Sequence, residues 1–285
     1  MISNRLTSLH AKNTIAALLL LMAVTVRFIN VSYQSMIGKD KMLQLTAAEN
    51  ILSGKGYGIE KYYTHNISDP ELDTSVQFPP GYSVSIIPFI LSFHHHLEKA
   101  SLAFELLTAL LFLLTIRKML RVTGFPPLQA SLFTLVAGCF PYPFFTGSPP
   151  TDAVALLFTL VSLLLIIRLY KEDNAARPLV LIIYSLVFFL PSFYRFSYLP
   201  VSAVLPVLVF LAGVLKNKPR LRKHGGWSVI ITYLFLAALL VYQKKLTGHF
   251  LPQYPGAEPG FFPENLYHIY PFLPASVSDI DFLAQ

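Results

Sequence analysis

A chain of 285 residues that is 54% hydrophobic and only 13% charged does not have the composition of a soluble domain, which carries about 25% charged residues. The net charge of +7 does not indicate nucleic-acid binding, because the basic residues lie in short segments between apolar runs. One cysteine, Cys139, excludes an intrachain disulfide within this sequence. The fold class predicted from composition is therefore all-α, as a multi-pass integral membrane protein.

Seven apolar runs come near the roughly 17–25 residues that a helix needs to cross a bilayer. They are residues 14–33, 100–116, 128–146, 152–169, 178–194, 199–215 and 227–243. The first resembles a secretory signal peptide, but bulky residues follow it instead of a small-x-small cleavage pattern, so we predict an uncleaved span. A further run, 83–93, is too short and contains Pro88, which favours an interfacial or re-entrant helix.

The basic residues predict the orientation of these spans. With residues 1–13 in the cytoplasm, the inner segments and Arg168 hold 13 Lys and Arg residues, whereas the much longer outer segments hold eight. The positive-inside rule favours this arrangement. It predicts a transmembrane module of residues 14–243, a long outer loop of residues 34–99 with surface helices at 40–53 and 83–95, and an extracytoplasmic tail of residues 244–285.

The outer loop begins with a predicted amphipathic helix. Met42, Leu45, Ala48 and Leu52 share one helical face, while Asp40 and Gln44 lie on another. Gly54 and Gly56 are placed to end this helix. We expect the helix to lie on the membrane with its apolar face down.

Four segments together resemble the GT-C glycosyltransferases, in the branch related to protein O-mannosyltransferases and lipid A aminoarabinose transferases. They are "AAENILSGKGYG" after Asp40, "FPPGYS", "SPPTDAVALLF" and "FYRFSYLP". Members are multi-spanning membrane enzymes that take a sugar from a polyprenyl-phosphate or polyprenyl-diphosphate carrier. The resemblance implies an inverting transfer to a lipid, glycan or protein hydroxyl, at the outer face of the cell (inner) membrane.

Two features depart from the family pattern. The family often has a pair of acids at its first acidic site, whereas Lys41 follows Asp40 here. Family members usually continue with more spans and a soluble region, whereas this sequence stops at Gln285. A fragment and a short homologue therefore both stay open.

The resemblance implies a role for each matching residue. Asp40 is the expected catalytic base, Asp152 a second acidic site, and Arg195 and Arg27 the contacts to the carrier phosphate. Helix capping is the alternative for both aspartates, and snorkelling to headgroups is the alternative for both arginines. Further expected contacts from the substrate loop are Gln44, Glu49, Lys55, Tyr57 and Tyr82.

Other polar residues lead to weaker expectations. Glu105 lies inside an apolar run and needs a polar partner, for which Arg27 and Arg195 are candidates. The run His94–His96 favours an interfacial cluster over a metal site, since three adjacent residues point in different directions on a helix. The requirement for a divalent cation stays open. The functional hypothesis needs the Asp40 carboxyl and the Arg195 guanidinium to face one water-filled cavity.

Two other functions also fit this sequence. A transporter or flippase explains the spans and the charges within the membrane, but the sequence has no internal repeat of the kind that transporters often show. A non-catalytic relative that binds polyprenyl phosphate fits the Lys41 departure.

Overall fold

A computed structural model describes residues 2–33, 39–63, 66–73, 78–139, 151–171, 178–248 and 250, with the backbone alone for 2–11, 32–33, 39–40, 59–63, 66–73, 171 and 178. All of these residues belong to a compact unit, Met1–Pro252. The second unit, Gln253–Gln285, lies outside the described residues. The predicted tail therefore goes largely undescribed.

The described part of the chain contains nine α-helices. They are α1 Ile2–Tyr33, α2 Lys39–Leu52, α3 Gly81–Ser92, α4 Leu97–Val122, α5 Pro127–Cys139, α6 Thr151–Lys171, α7 Pro178–Tyr194, α8 Leu199–Leu215 and α9 Pro219–Thr247. A 3-10 turn, Phe196–Tyr198, lies between α7 and α8. Each predicted span overlaps one of these helices, and α2 and α3 overlap the two segments predicted as surface helices.

An antiparallel hairpin is the part of the fold that the sequence analysis did not predict. Strands β1 (Ile59–Tyr63) and β2 (Asn66–Asp73) pair with Ile59 opposite Asp73. The first strand, "IEKYY", has the β-branched and aromatic residues that favour strands. The fold is therefore predominantly helical, with a small β element inside the long first loop.

Five helical segments are long and apolar enough to cross a membrane, judged by length and composition. They are Lys12–Val31, Leu97–Val122, Thr151–Tyr170, Phe196–Leu215 and Pro219–Thr247. Helices α5, with 13 residues, and α7, with 17, are apolar but shorter. The described residues thus support a membrane-embedded helical protein and do not establish seven crossings. The predicted span 128–146 continues beyond Cys139, where the described part of α5 ends.

Glycines allow the helices to approach closely. A Cβ atom at Gly225 of α9 would lie 2.3 Å from the backbone nitrogen of Phe210 in α8. On the same two helices, a Cβ at Gly213 would lie 2.3 Å from the backbone nitrogen of Arg222. Lipid tails are as apolar as the side chains of membrane helices, so close van der Waals packing of this kind stabilises helix pairs in a bilayer.

One apolar core lies where α2 and α3 meet the first turns of α4 and α6 and the last turn of α7. Its buried members include Leu45, Tyr82, Ile86, Phe104, Val154 and Tyr194. The rings of Tyr82 and Phe104 meet edge to face with centroids 5.4 Å apart. This core places two segments of the first loop directly over one end of the helical bundle.

The predicted orientation of the first surface helix is wrong at two positions. Met42 is 45% exposed, whereas Gln44, expected on the polar face, is fully buried. The buried face of α2 carries Lys41, Gln44, Leu45 and Ala48, which have helical spacing. The helix packs on α3 rather than lying apolar side down on lipid alone, so neighbouring protein decides which face is buried.

Candidate functional site

An ion pair joins two of the residues selected from the sequence. Arg195 Nε lies 3.0 Å from Asp152 Oδ1, and both side chains are partly open, with exposures of 26% and 28%. Asp152 is in the first turn of α6, where a negative charge also interacts favourably with the helix dipole. The capping and site interpretations of Asp152 are therefore compatible.

Local backbone structure holds Arg195 at this position. Helix α7 ends at Tyr194, and Arg195 is extended, with φ −150° and ψ 123°, before the 3-10 turn. The Tyr194 hydroxyl lies 2.5 Å from Ser85 Oγ in α3, which fixes the end of α7 against the first loop. The two terminal guanidinium nitrogens of Arg195 make no hydrogen bond to the described residues. Arginine therefore presents forked donors beside a carboxylate that orients it.

A second ion pair links α2 to α4. Lys41 Nζ contacts Glu105 Oε1, with only 4% and 13% of the two side chains exposed. Glu105 Oε1 also accepts a hydrogen bond of 2.8 Å from Ser101 Oγ. The Ser101 hydroxyl lies 3.2 Å from the Tyr82 hydroxyl in α3. This Lys41–Glu105 network connects three helices through polar groups that are almost entirely buried.

The predicted partners of Glu105 are corrected by this network. Arg195 pairs with Asp152, and Arg27 donates a hydrogen bond of 3.0 Å from Nη2 to the carbonyl oxygen of Ala137 in α5. Glu105 contacts Lys41 instead. Arg27 is buried with 1% of its surface exposed and joins α1 to α5. Its expected contact to carrier phosphate stays a prediction.

The other predicted loop contacts lie at the margin of the α2 and α3 assembly. Glu49 Oε1 is 3.0 Å from His95 Nδ1 in an exposed pair. Lys55 is exposed in the turn where Gly54 and Gly56 have φ values of 74° and 98°. These positive φ angles confirm that the glycines end helix α2.

The buried tyrosines of the first loop lie in the core rather than on an open surface. Tyr57 donates a hydrogen bond of 2.8 Å to the carbonyl oxygen of Phe78, and Tyr82 is fully buried. Burial raises the pKa of both phenols above the usual value. Both are therefore neutral hydrogen-bonding groups near neutral pH. The expected contact of Tyr57 and Tyr82 with the substrate stays a prediction.

Gln44 has an unusual environment within α2. Its side chain is fully buried, and neither Nε2 nor Oε1 has a hydrogen-bond partner among the described residues. Its backbone carbonyl accepts a hydrogen bond of 2.8 Å from Ser83 Oγ in α3. Buried side-chain amides normally have hydrogen-bond partners. Gln44 therefore places an unusual polar group in the interface between α2 and α3.

Helix α2 includes Asp40, but its side chain lies outside the described residues. The distance from its carboxyl group to Arg195 therefore stays a prediction. Asp40 directly precedes Lys41 in α2, so its backbone is close to the buried Lys41–Glu105 pair. The candidate functional site is the end of the helical bundle where α2 and α3 pack. It comprises the Asp152–Arg195 pair and the first turn of α2.

Comparisons of the chain with protein families, with curated proteins and with solved structures found no match. The functional interpretation therefore depends on the residues themselves and on their arrangement.

The described residues do not fit a metal site. Among them, no group of three or more His, Cys, Asp or Glu side chains could hold a metal ion. The carboxylates of Asp152 and Glu105 each face a cationic side chain instead of each other.

Sequence reasoning missed the role of Lys41. Lys41 departs from the family pattern, but it also shares a helical face with Leu45 and Ala48, four and seven residues later. Glu105, inside an apolar run, also required a partner. Together these two signals could have identified the pair, but the sequence does not show that α2 lies over α4.

Proposed function

We propose that this chain is a membrane glycosyltransferase that moves a sugar from a polyprenyl-phosphate or polyprenyl-diphosphate carrier to a hydroxyl acceptor. The main supporting observation is the Asp152–Arg195 ion pair, which is partly exposed and lies beside the assembly of α2 and α3. A guanidinium that is anchored through Nε and keeps its terminal donors available is suited to a phosphate group.

In the proposed reaction, the acceptor hydroxyl attacks the anomeric carbon from the face opposite the carrier. The new glycosidic bond forms as the bond between the anomeric carbon and the phosphate oxygen breaks, and the phosphate leaves with the electron pair. Asp40 takes the proton of the acceptor hydroxyl. Arg195 stabilises the charge that develops on the leaving phosphate, and Asp152 holds Arg195 in place.

The proposed topology has the N-terminus in the cytoplasm and seven crossings. Helices α2 and α3 then lie outside, together with Asp152 and Arg195. The distribution of 13 basic residues on the inner side and eight on the outer side supports this orientation. A lipid-linked sugar in the outer leaflet could reach Arg195 from the bilayer.

A non-catalytic protein that binds polyprenyl phosphate is the second candidate. Lys41 occupies the position at which the resembled family often has a second acid, and Glu105 neutralises it. In this alternative, Arg195 still binds the lipid phosphate, but no group takes a proton from an acceptor.

The test is transfer of radiolabelled sugar by the purified full chain from a panel of polyprenyl-phosphate donors carrying a pentose, a hexose or an aminosugar. We expect Asp40→Asn to reduce transfer by about 10²-fold or more, the usual size of a general-base contribution. Arg195→Gln should reduce transfer, and Arg195→Lys should retain more activity because it keeps the charge. Glu98→Gln, an exposed carboxylate in the first turn of α4, is the matched control.

The outcomes separate the two candidates. Equal transfer by wild type and Asp40→Asn would reject Asp40 as the base. No transfer by the wild-type chain from any donor, with binding of polyprenyl phosphate that Arg195→Gln abolishes, would favour the non-catalytic protein.

A further inference from the structure

Helix α2 has a small apolar contact surface for an element that carries a proposed catalytic group. On its buried face, Leu45 and Ala48 pack against α3, with Leu52 partly buried at the end. The same face also carries Lys41, which is 3% exposed. A buried ammonium group is costly unless it is paired, so Lys41 is tolerated there because Glu105 neutralises it.

We infer that Lys41 and Glu105 are positioning residues that fix helix α2 in one register on α3 and α4. Glu105 is itself held by Ser101, whose hydroxyl contacts Tyr82 in α3. The pair therefore does not join two mobile side chains, because one partner already belongs to a hydrogen-bonded network between α3 and α4. A bond from Ser83 Oγ to the Gln44 carbonyl adds a contact one turn further along α2.

The charge pattern excludes the neighbouring registers. Successive residues of an α-helix are rotated by about 100°. Turning α2 by one residue would bring either Asp40 or Met42 toward Glu105 in place of Lys41. An aspartate there would place two carboxylates together, and a methionine would leave the Glu105 charge buried without a partner. The Lys41–Glu105 pair therefore selects one placement of α2.

For catalysis, this inference rests on the proposed function, since α2 carries Asp40 next to Lys41. If the pair fixes the register of α2, it also fixes the position of Asp40 relative to Arg195. Neither Lys41 nor Glu105 needs to touch the substrate for its loss to reduce transfer.

The experiment measures the docking of α2 independently of transfer. In a Cys139→Ser background, which removes the chain's one cysteine, Ser83→Cys places a nearly isosteric thiol in the buried interface between α2 and α3. The rate of its reaction with a small maleimide is measured on the full chain in detergent and in native membranes. A faster reaction reports that α2 has moved away from α3.

We expect Lys41→Met and Glu105→Gln each to raise the labelling rate at least tenfold, and Lys41→Arg to stay close to the background rate because it keeps the charge. The double exchange Lys41→Glu with Glu105→Lys should restore most of the slow labelling. His95→Gln, which breaks the exposed pair with Glu49 at the other end of α2, is the control and should change the rate less than twofold.

Sugar transfer by the same variants gives a second measurement. We expect kcat/KM to fall at least tenfold in Lys41→Met and to recover in the double exchange, with the gel-filtration profile unchanged throughout. Unchanged labelling in both single variants, or no recovery in the double exchange, would overturn the positioning role. If the wild-type chain shows no transfer, the labelling result still decides the inference, so its failure is distinct from failure of the proposed function.

Discussion

Tyr57 shows how a single side chain secures the first loop to the bundle. Tyr57 forms a buried cluster with Ala47, and Ile51, Phe78 and Leu246 pack against this cluster, which therefore joins α2 to the last turn of α9. Its hydroxyl donates to the Phe78 carbonyl, and Asn50 Nδ2 donates to the Gly58 carbonyl beside it. The turn after α2 is therefore held by one buried and one partly buried hydrogen bond as well as apolar contacts.

Tyr57→Phe tests this contact. Removing the hydroxyl leaves the Phe78 carbonyl without its donor, which should lower the free energy of unfolding by about 1 kcal/mol. Tyr233→Phe is the control, because Tyr233 is an exposed residue of α9. Thermal unfolding of the two variants in the same detergent measures the difference, and equal midpoints would contradict the structural role of the bond.

The same variant has a predicted pH dependence. Burial raises the pKa of Tyr57 in the folded protein, so the neutral phenol contributes stability that is fully present below the unfolded pKa of about 10. That contribution is lost as the pH rises from this value toward the folded pKa. Tyr57→Phe should therefore lose less stability than wild type between about pH 9.5 and 11. Parallel alkaline unfolding curves for the two proteins would contradict this expectation.

At the scale of the element, the hairpin of α8 and α9 depends on the absence of side chains at the helix contact. Gly225 faces the backbone of α8, whereas for Gly226 the nearest atom to an added Cβ would be in the Phe210 ring, 3.8 Å away. Two adjacent glycines of one helix thus differ in the space available beside them.

Gly225→Ala should destabilise the protein by about 1–3 kcal/mol, because its Cβ atom would overlap the α8 backbone and force the helices apart. Gly226→Ala should be neutral or stabilising by up to about 1 kcal/mol, since alanine favours a helix over glycine and the site has room. Thermal unfolding of both variants in one detergent measures the contrast. A similar effect at both positions would show that helix propensity, and not packing against α8, determines the outcome.

At the scale of the whole molecule, the placement of the site relative to the membrane follows from the orientation of the helices. The starts of α4 and α6 and the end of α7 lie together with α2 and α3. Arg121 lies in the last turn of α4, at the end opposite to its start, and Lys216 directly follows the end of α8. If the positive-inside rule applies, the two sets of loops are on opposite sides of the membrane.

Cysteine accessibility in intact cells tests this orientation. In the Cys139→Ser background, Ser53→Cys lies in the exposed turn after α2, and Thr123→Cys lies in the exposed turn after α4. A membrane-impermeant maleimide should label Ser53→Cys in intact cells and Thr123→Cys only after permeabilisation. The reverse pattern would place the site in the cytoplasm, and labelling of both in intact cells would show that α4 does not cross.

Much of the fold could be predicted from the sequence, because the thickness of a bilayer sets the length of the apolar segment that a spanning helix needs. The predicted spans overlap helices, and the short apolar run 83–93 overlaps α3. Seven crossings do not follow from the described helices, because α5 and α7 are short and the described part of α5 ends at Cys139. The hairpin was missed because the first loop was interpreted through helical periodicity and its glycine turns.

The sequence by itself determined that the chain is a membrane protein with a long polar first loop. The resemblance of its short segments to one family singled out Asp152 and Arg195. Only the tertiary structure decided that these two residues pair with each other, and that Glu105 pairs with Lys41. Helical spacing fixes which residues share a face, but the neighbour of that face depends on how distant helices pack. For this reason the sequence alone shows Lys41 only as a departure from the family pattern. In the folded chain, Lys41 is the buried ion-pair partner of Glu105.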